Sequence, residues 1–83
     1  MHLMVLYDIR ADSVRRRIAD ACLDFGLQRI QYSAYLGRID PDWRDELETR
    51  LQATIGDAVG RIHVVALPRD VVRKIRKLGP GIE

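Results

Sequence analysis

Eighty-three residues, with 14 lysines and arginines against 12 acids and a formal charge of +2, describe one small domain. A single cysteine, Cys22, excludes an internal disulfide framework and a cysteine-based metal site, and no apolar run approaches the ~20 residues of a membrane span or follows a charged leader. The expected setting is therefore the cytoplasm, with no membrane partner.

The first element is the continuous apolar run Leu3, Met4, Val5, Leu6, Tyr7. Such a run reads as a strand covered on both faces. Asp8 closes it, followed by Ile9, and its carboxylate is expected to be half buried. An isolated buried carboxylate calls for a cation, a metal or a proton. Asp12 or Ser13 is then the expected N-cap of a helix, with Val14, Ile18, Cys22 and Phe25 at helical spacing and Gly26 as the stop.

Residues 28 to 39 return to strand character, and Tyr32-Ser33 divides them into two short strands although neither residue favours a positive-φ turn. Arg29, Gln31 and Ser33 alternate there with Ile30, Tyr32 and Ala34, a pattern that points to a surface handling phosphates. Asp40-Pro41 starts a second helix, whose apolar stripe is Trp43, Leu47, Leu51 and Ile55 and whose stop is Gly56. Arg61 to Leu67 forms a further strand, between Gly60 and Pro68. Residues 69 to 78 read equally as a short helix or an edge strand.

Charge is segregated along this order. Residues 40 to 57 carry six acids and two arginines, a net of −4, which leaves +6 for the rest of the chain. The basic groups cluster at Arg15-Arg16-Arg17 and at Arg69, Arg73, Lys74, Arg76 and Lys77. Segregated charge of this kind builds a surface for polyanions, although a charge run is as often an ordinary solvated face.

Strand, helix, hairpin, helix, strand is the α+β, ferredoxin-like βαββαβ plan, in which two helices cover one face of an antiparallel sheet. The other face has no cover within one 83-residue domain. A chain of this size buries only roughly 60–65% of its unfolded surface. A homodimer through the open face is the simplest remedy.

In Tyr7-Asp8-Ile9, the first-helix Arg15 and Arg17, Gly26, Arg29-x-Gln31-x-Ser33, Tyr35, Gly37, the strand after Gly60 and Leu78-Gly79, the chain resembles the CRISPR-associated protein two family of small ferredoxin-like adaptation proteins and endoribonucleases. The resemblance runs over nearly the whole chain, with its specific part in residues 7 to 37. It implies a homodimer, residues 69–83 as a basic segment whose final strand crosses onto the partner's sheet, and a role in antiviral defense as the DNA-bridging subunit beside the CRISPR integrase. It also implies metal-dependent phosphodiester cleavage centred on Asp8. This chain departs from the family in having Ala34-Tyr35 where valine-phenylalanine is usual.

The residues carried over are Tyr7, Asp8 and Ser33 at the catalytic centre and Arg15, Arg17, Arg29 and Tyr35 on nucleic acid, joined by Arg73, Lys74, Arg76 and Lys77 from the basic segment. Asp8 is the metal ligand, for Mg2+ or Mn2+. Magnesium often takes one or two carboxylates together with substrate phosphates, and a two-fold axis supplies the second Asp8 from the same sequence position. The arginines suit bidentate phosphate contacts, and Tyr35 suits stacking on a base. Plainer readings stand beside these: Asp8 pairing with an arginine, Arg29 pairing with Asp8 or Asp24, Tyr7 and Tyr35 as core aromatics, and Ser33 as a turn residue. Arg15 and Arg17 cannot both face one site, being two apart on a helix. His63 reads as structural.

The expected substrate is duplex DNA, single-stranded RNA or both. The leading function is a symmetric DNA scaffold for the integrase with added nuclease chemistry. The competing one is the virulence-associated ferredoxin-like ribonuclease family, a toxin without an integrase.

Overall fold

The computed structural model describes residues 1–81; residues 82 and 83, the end of the basic C-terminal segment, lie outside the described part. The apolar opening forms β1 (His2–Ile9), and the helical pattern after it forms α1 (Asp12–Asp24). The hairpin is β2 (Gln28–Gln31) and β3 (Ala34–Arg38), followed by α2 (Pro41–Ile55) and β4 (Gly60–Leu67). The strand order is β2-β3-β1-β4, with every neighbour antiparallel. This is the ferredoxin-like plan.

Alternation along β1 decides where the core lies. Leu3, Val5, Tyr7 and Ile9 are buried against Val14, Ile18, Ala21 and Cys22 of α1 and Leu47 and Leu51 of α2. Leu27, Tyr35 and Ile39 complete that layer. The even positions of β1 point to the other side of the sheet. There Met4 lies opposite Leu36 and Val65, and Leu6 lies opposite Ala34 and His63. Leu6 and Val65 remain 37% and 38% exposed. The double-sided burial expected of the opening run is thus satisfied on one face only.

Several local features differ from the sequence expectation. The α1 N-cap is Ala11, with no side-chain cap bond, and Asp12 instead opens the first turn, where a carboxylate favours the helix dipole. The Tyr32-Ser33 turn is made without positive φ at either residue, because a register shift between Arg29 and Gln31 absorbs the bend. Trp43 leaves the α2 stripe and sits 56% exposed, edge-on to Phe25 with ring centroids 6.1 Å apart. After Pro68 the chain forms a short helix, α3 (Arg69–Arg73), and residues 74–81 are in neither helix nor strand.

Candidate functional site

Asp8 is the next-to-last residue of β1 and faces the open side of the sheet, directly opposite Arg61. It is exposed, not half buried, because no second layer covers that face of a single chain. Among the described residues its carboxylate has neither an ion pair nor a hydrogen-bond donor, so the Asp8–arginine pair is not formed. Its backbone is held tightly. Gly60 has φ +152°, and a Cβ there would stand 2.5 Å from the Asp8 carbonyl oxygen. On the other flank the Tyr7 N–H donates to the Ser33 carbonyl at 3.0 Å, which sets the half-buried Ser33 beside the strand end that carries Asp8. No cluster of three or more His, Cys, Asp or Glu exists among the described residues. One chain therefore offers a single carboxylate at this strand end.

Tyr7 points the opposite way, into the helix-covered layer. Its ring stacks on Tyr35, with centroids 6.3 Å apart and planes 15° from parallel. Burial pushes its hydroxyl up to about 12, with Tyr35 and Cys22 adding to the rise and Arg29 opposing it. Tyr7 is therefore protonated at neutral pH and separated from Asp8 by the sheet, and the two do not form one catalytic pair. Tyr35 is 3% exposed, so it cannot receive a base. The tyrosine open to solvent is Tyr32, 74% exposed at the hairpin tip.

The arginines divide in the same way. Arg15 is spent locally: it donates to the carbonyls of Ile9 at 2.8 Å and Arg10 at 3.1 Å and pairs with Asp12. It fixes the turn that follows Asp8. Arg17 is exposed and points elsewhere. Arg29 shares a sheet face with Tyr35, and its guanidinium carbon lies 6.0 Å from the centre of the Tyr32 ring. Asp24, a candidate partner for Arg29, pairs instead with Arg50 at 2.8 Å. A cleft of about 280 Å³ collects Tyr7, Arg15, Arg16, Arg29, Tyr32 and Tyr35. Arg16 was legible only as part of a basic run; its spacing from Asp12 and Ala19, which also line the cleft, is the signal that turns it toward β2. Arg73, Lys74, Arg76 and Lys77 are all exposed, as a basic ridge free to meet a polyanion.

Residues 1–75 match the family described as CRISPR associated protein Cas2. The CRISPR-associated endoribonuclease Cas2 2 of Chloroflexus aurantiacus is 45% identical over 62 residues, which cover 75% of this chain and 65% of that protein. The match thus spans just under two thirds of that relative's length. The protein of the same description from Pyrobaculum aerophilum is 36% identical over 80 residues, 96% of this chain and 88% of the relative. In Thermoproteus tenax, a CRISPR-associated endonuclease Cas1/endonuclease Cas2 fusion is 34% identical over 80 residues, 96% of this chain and 30% of the fusion. The crystal structure of Streptococcus pyogenes Cas2 at pH 6.5 is similar with a TM-score of 0.83 and 26% identity, covering 95% of this chain and all of that one. With the family match running from the first strand past α3, and with this fold shared, the chain belongs to the CRISPR associated protein Cas2 family.

Proposed function

We propose that the chain works in CRISPR adaptation as a homodimer that bridges duplex DNA beside the integrase, and that the same dimer cleaves phosphodiesters at paired Asp8 residues. The observation that carries this reading is the open sheet face. Met4, Leu6, Leu36 and Val65 form an apolar patch on one side, with an unpaired carboxylate, Asp8, at its end. A second copy seated there covers the patch, and a two-fold axis near the strand ends places a second Asp8 beside the first. Val71, Ile75 and Leu78 are 40%, 39% and 93% exposed, which supports the C-terminal segment reaching across to the partner's sheet.

The donor set fits Mg2+ or Mn2+ as two carboxylates completed by phosphate oxygens and water. When bound, such an ion supplies Lewis-acid polarisation of the phosphate. Around it, Ser33 offers a hydroxyl at the same strand end, and Arg15 keeps the β1–α1 turn in place through the Ile9 and Arg10 carbonyls. The relatives' description as endoribonucleases favours RNA as the cleaved strand. The Cas1/Cas2 fusion of Thermoproteus tenax favours an integrase partner, since fusion enforces proximity. Duplex DNA needs only backbone contacts, which fix position without reading sequence, and Arg73, Lys74, Arg76 and Lys77 supply them. No helix among the described residues is long and apolar enough to cross a membrane.

The test is the salt dependence of duplex binding. Log affinity should fall linearly with log salt, with a slope of about −0.9 per phosphate contacted. Alanine at Arg73, Lys74, Arg76 and Lys77 together should flatten that slope. A slope unchanged in this variant would remove the C-terminal segment from the DNA surface.

A further inference from the structure

We propose that His63 of β4 is a second donor to the cation held at Asp8, and that its imidazole turns the site toward first-row transition dications over Mg2+. The inference rests on the Asp8 cation reading above and adds a ligand and a metal class to it.

The sheet register puts the two groups together. β4 is the edge strand beside β1, with Arg61 opposite Asp8 and His63 opposite Leu6. Positions two apart on a strand share a face. Leu6, Asp8, Arg61 and His63 therefore all stand on the side away from the helices, while Ile62 and Val64 pack on the core. Asp8 and His63 are diagonal neighbours in this array, a relation that sets Cβ atoms about 7–8 Å apart or somewhat less. An ion at about 2.0–2.2 Å from a carboxylate oxygen and an imidazole nitrogen bridges such a gap, because each side chain adds its own length. The other histidine, His2, lies six residues along β1 from Asp8, about 20 Å away.

Both donors are uncommitted. Asp8 and His63 are exposed, and neither side chain makes a hydrogen bond or ion pair among the described residues. Arg61, the cation nearest to Asp8 by register, makes no bond to it and borders the cleft between α2 and β4 with Glu48. The neighbours of His63 on its own face include the apolar Leu6 and Val65. A second copy seated on that patch closes over the imidazole, and a buried polar group then needs a polar partner. The ion at Asp8 is the partner within reach. Mg2+ takes oxygen donors and gives up its water reluctantly, whereas imidazole suits the later first-row ions. One carboxylate and one imidazole per chain thus select by ligand type, and Mg2+ keeps access through the oxygen donors alone.

The experiment titrates the tag-free full chain with Co2+ as the probe, by calorimetry and by proton NMR, with Mg2+ titrated in parallel. Co2+ bound to an imidazole shifts the ring protons far outside the ordinary spectral range. The wild-type chain should show such shifted resonances, His2→Ala should keep them, and His63→Ala should lose them while melting with the wild-type protein. Co2+ affinity should fall at least about tenfold in His63→Ala, since even an outer-shell partner typically contributes that much. Mg2+ affinity should stay within about twofold, because magnesium uses oxygen ligands. Co2+ affinity that ignores His63→Ala, an equal loss for Co2+ and Mg2+, or shifted resonances that persist at full affinity in Asp8→Asn overturns the proposal. Binding of either ion that is lost in Asp8→Asn but kept in His63→Ala leaves the Asp8 reading standing without His63. A wild-type chain that binds neither ion overturns both.

Discussion

Replacing Gly60 with alanine tests how the end of β1 is held. The added Cβ would stand 2.5 Å from the Asp8 carbonyl oxygen, 2.8 Å from the Ile9 Cα and 3.0 Å from the Ile9 Cγ1. Two of these are backbone atoms, so no side-chain rotation relieves the overlap. The φ of +152° is itself a conformation reserved in practice for glycine, and such strain costs of order 1–3 kcal/mol. Forcing extra volume into packed backbone costs another ~1–3 kcal/mol. Together these give a loss of roughly 2–6 kcal/mol out of a total stability of about 5–15 kcal/mol. For a domain of this length about 1 kcal/mol moves Tm by roughly 4–8 °C, so the melting point should fall by at least ~8 °C.

The control is Gly26→Ala, at φ +85° with nothing within 4 Å of its Cβ. It keeps the strain and lacks the collision, for a cost of about 1–2 kcal/mol. Thermal unfolding followed by circular dichroism, at one protein concentration because a dimer melts in a concentration-dependent way, separates the two. Gly60→Ala should also lose cleavage below its melting range, since the strand moves at Asp8. A Gly60→Ala melt no lower than that of Gly26→Ala would refute the close-approach argument.

Leu6→Asp combined with Val65→Asp puts charge on both sides of the open sheet face and should convert a dimer into monomers of 9.5 kDa by sedimentation; a double variant that stays dimeric would place the interface elsewhere. Tyr7 has its hydroxyl raised from 10.0 to about 12 by burial, so the folded state favours its protonated form. That contribution is fully present below pH 10 and is lost as the pH rises toward 12. Tyr7→Phe should therefore flatten the alkaline fall in melting temperature. Cys22 is buried and its thiol is pushed up to about 12 by burial. It should react with a thiol reagent at neutral pH only as the chain opens, at a rate that rises with denaturant.

The element order was legible because each segment carries one clear period: fours in Trp43, Leu47, Leu51 and Ile55, and strand character bounded by Gly60 and Pro68. What period could not show was which face lacks a second layer. Leu3 to Tyr7 is apolar throughout, so the sequence demands cover on both sides, whereas one chain provides helices for the odd positions alone. That is why Asp8 is exposed where half-burial was expected. The burial of Tyr35 and the exposure of Tyr32 have a similar origin. Tyr35 pairs with Val5 and inherits the core face, while exposure at a hairpin tip follows from the turn and its bulge, which no alternation encodes. Arg15 was legible as a basic residue, but its bonds to the Ile9 and Arg10 carbonyls depend on the path of the turn. The segment 69–78 stayed ambiguous because its apolar residues, Val71, Val72, Ile75 and Leu78, fit neither period cleanly and bury little in one chain.

In the proposed function Asp8 holds a cation on the solvent-facing side of a dimer, apart from Arg73, Lys74, Arg76 and Lys77, the residues proposed for DNA. The most direct test is the rate of Mg2+-dependent RNA cleavage by Asp8→Asn, which keeps the size and one acceptor oxygen of the side chain and loses its charge. The exposed, unpaired carboxylate predicts a change in stability within about 0.5 kcal/mol, so the variant remains a folded dimer. Cleavage should vanish while duplex binding stays at the wild-type level. Cleavage by Asp8→Asn at the wild-type rate would contradict the assignment.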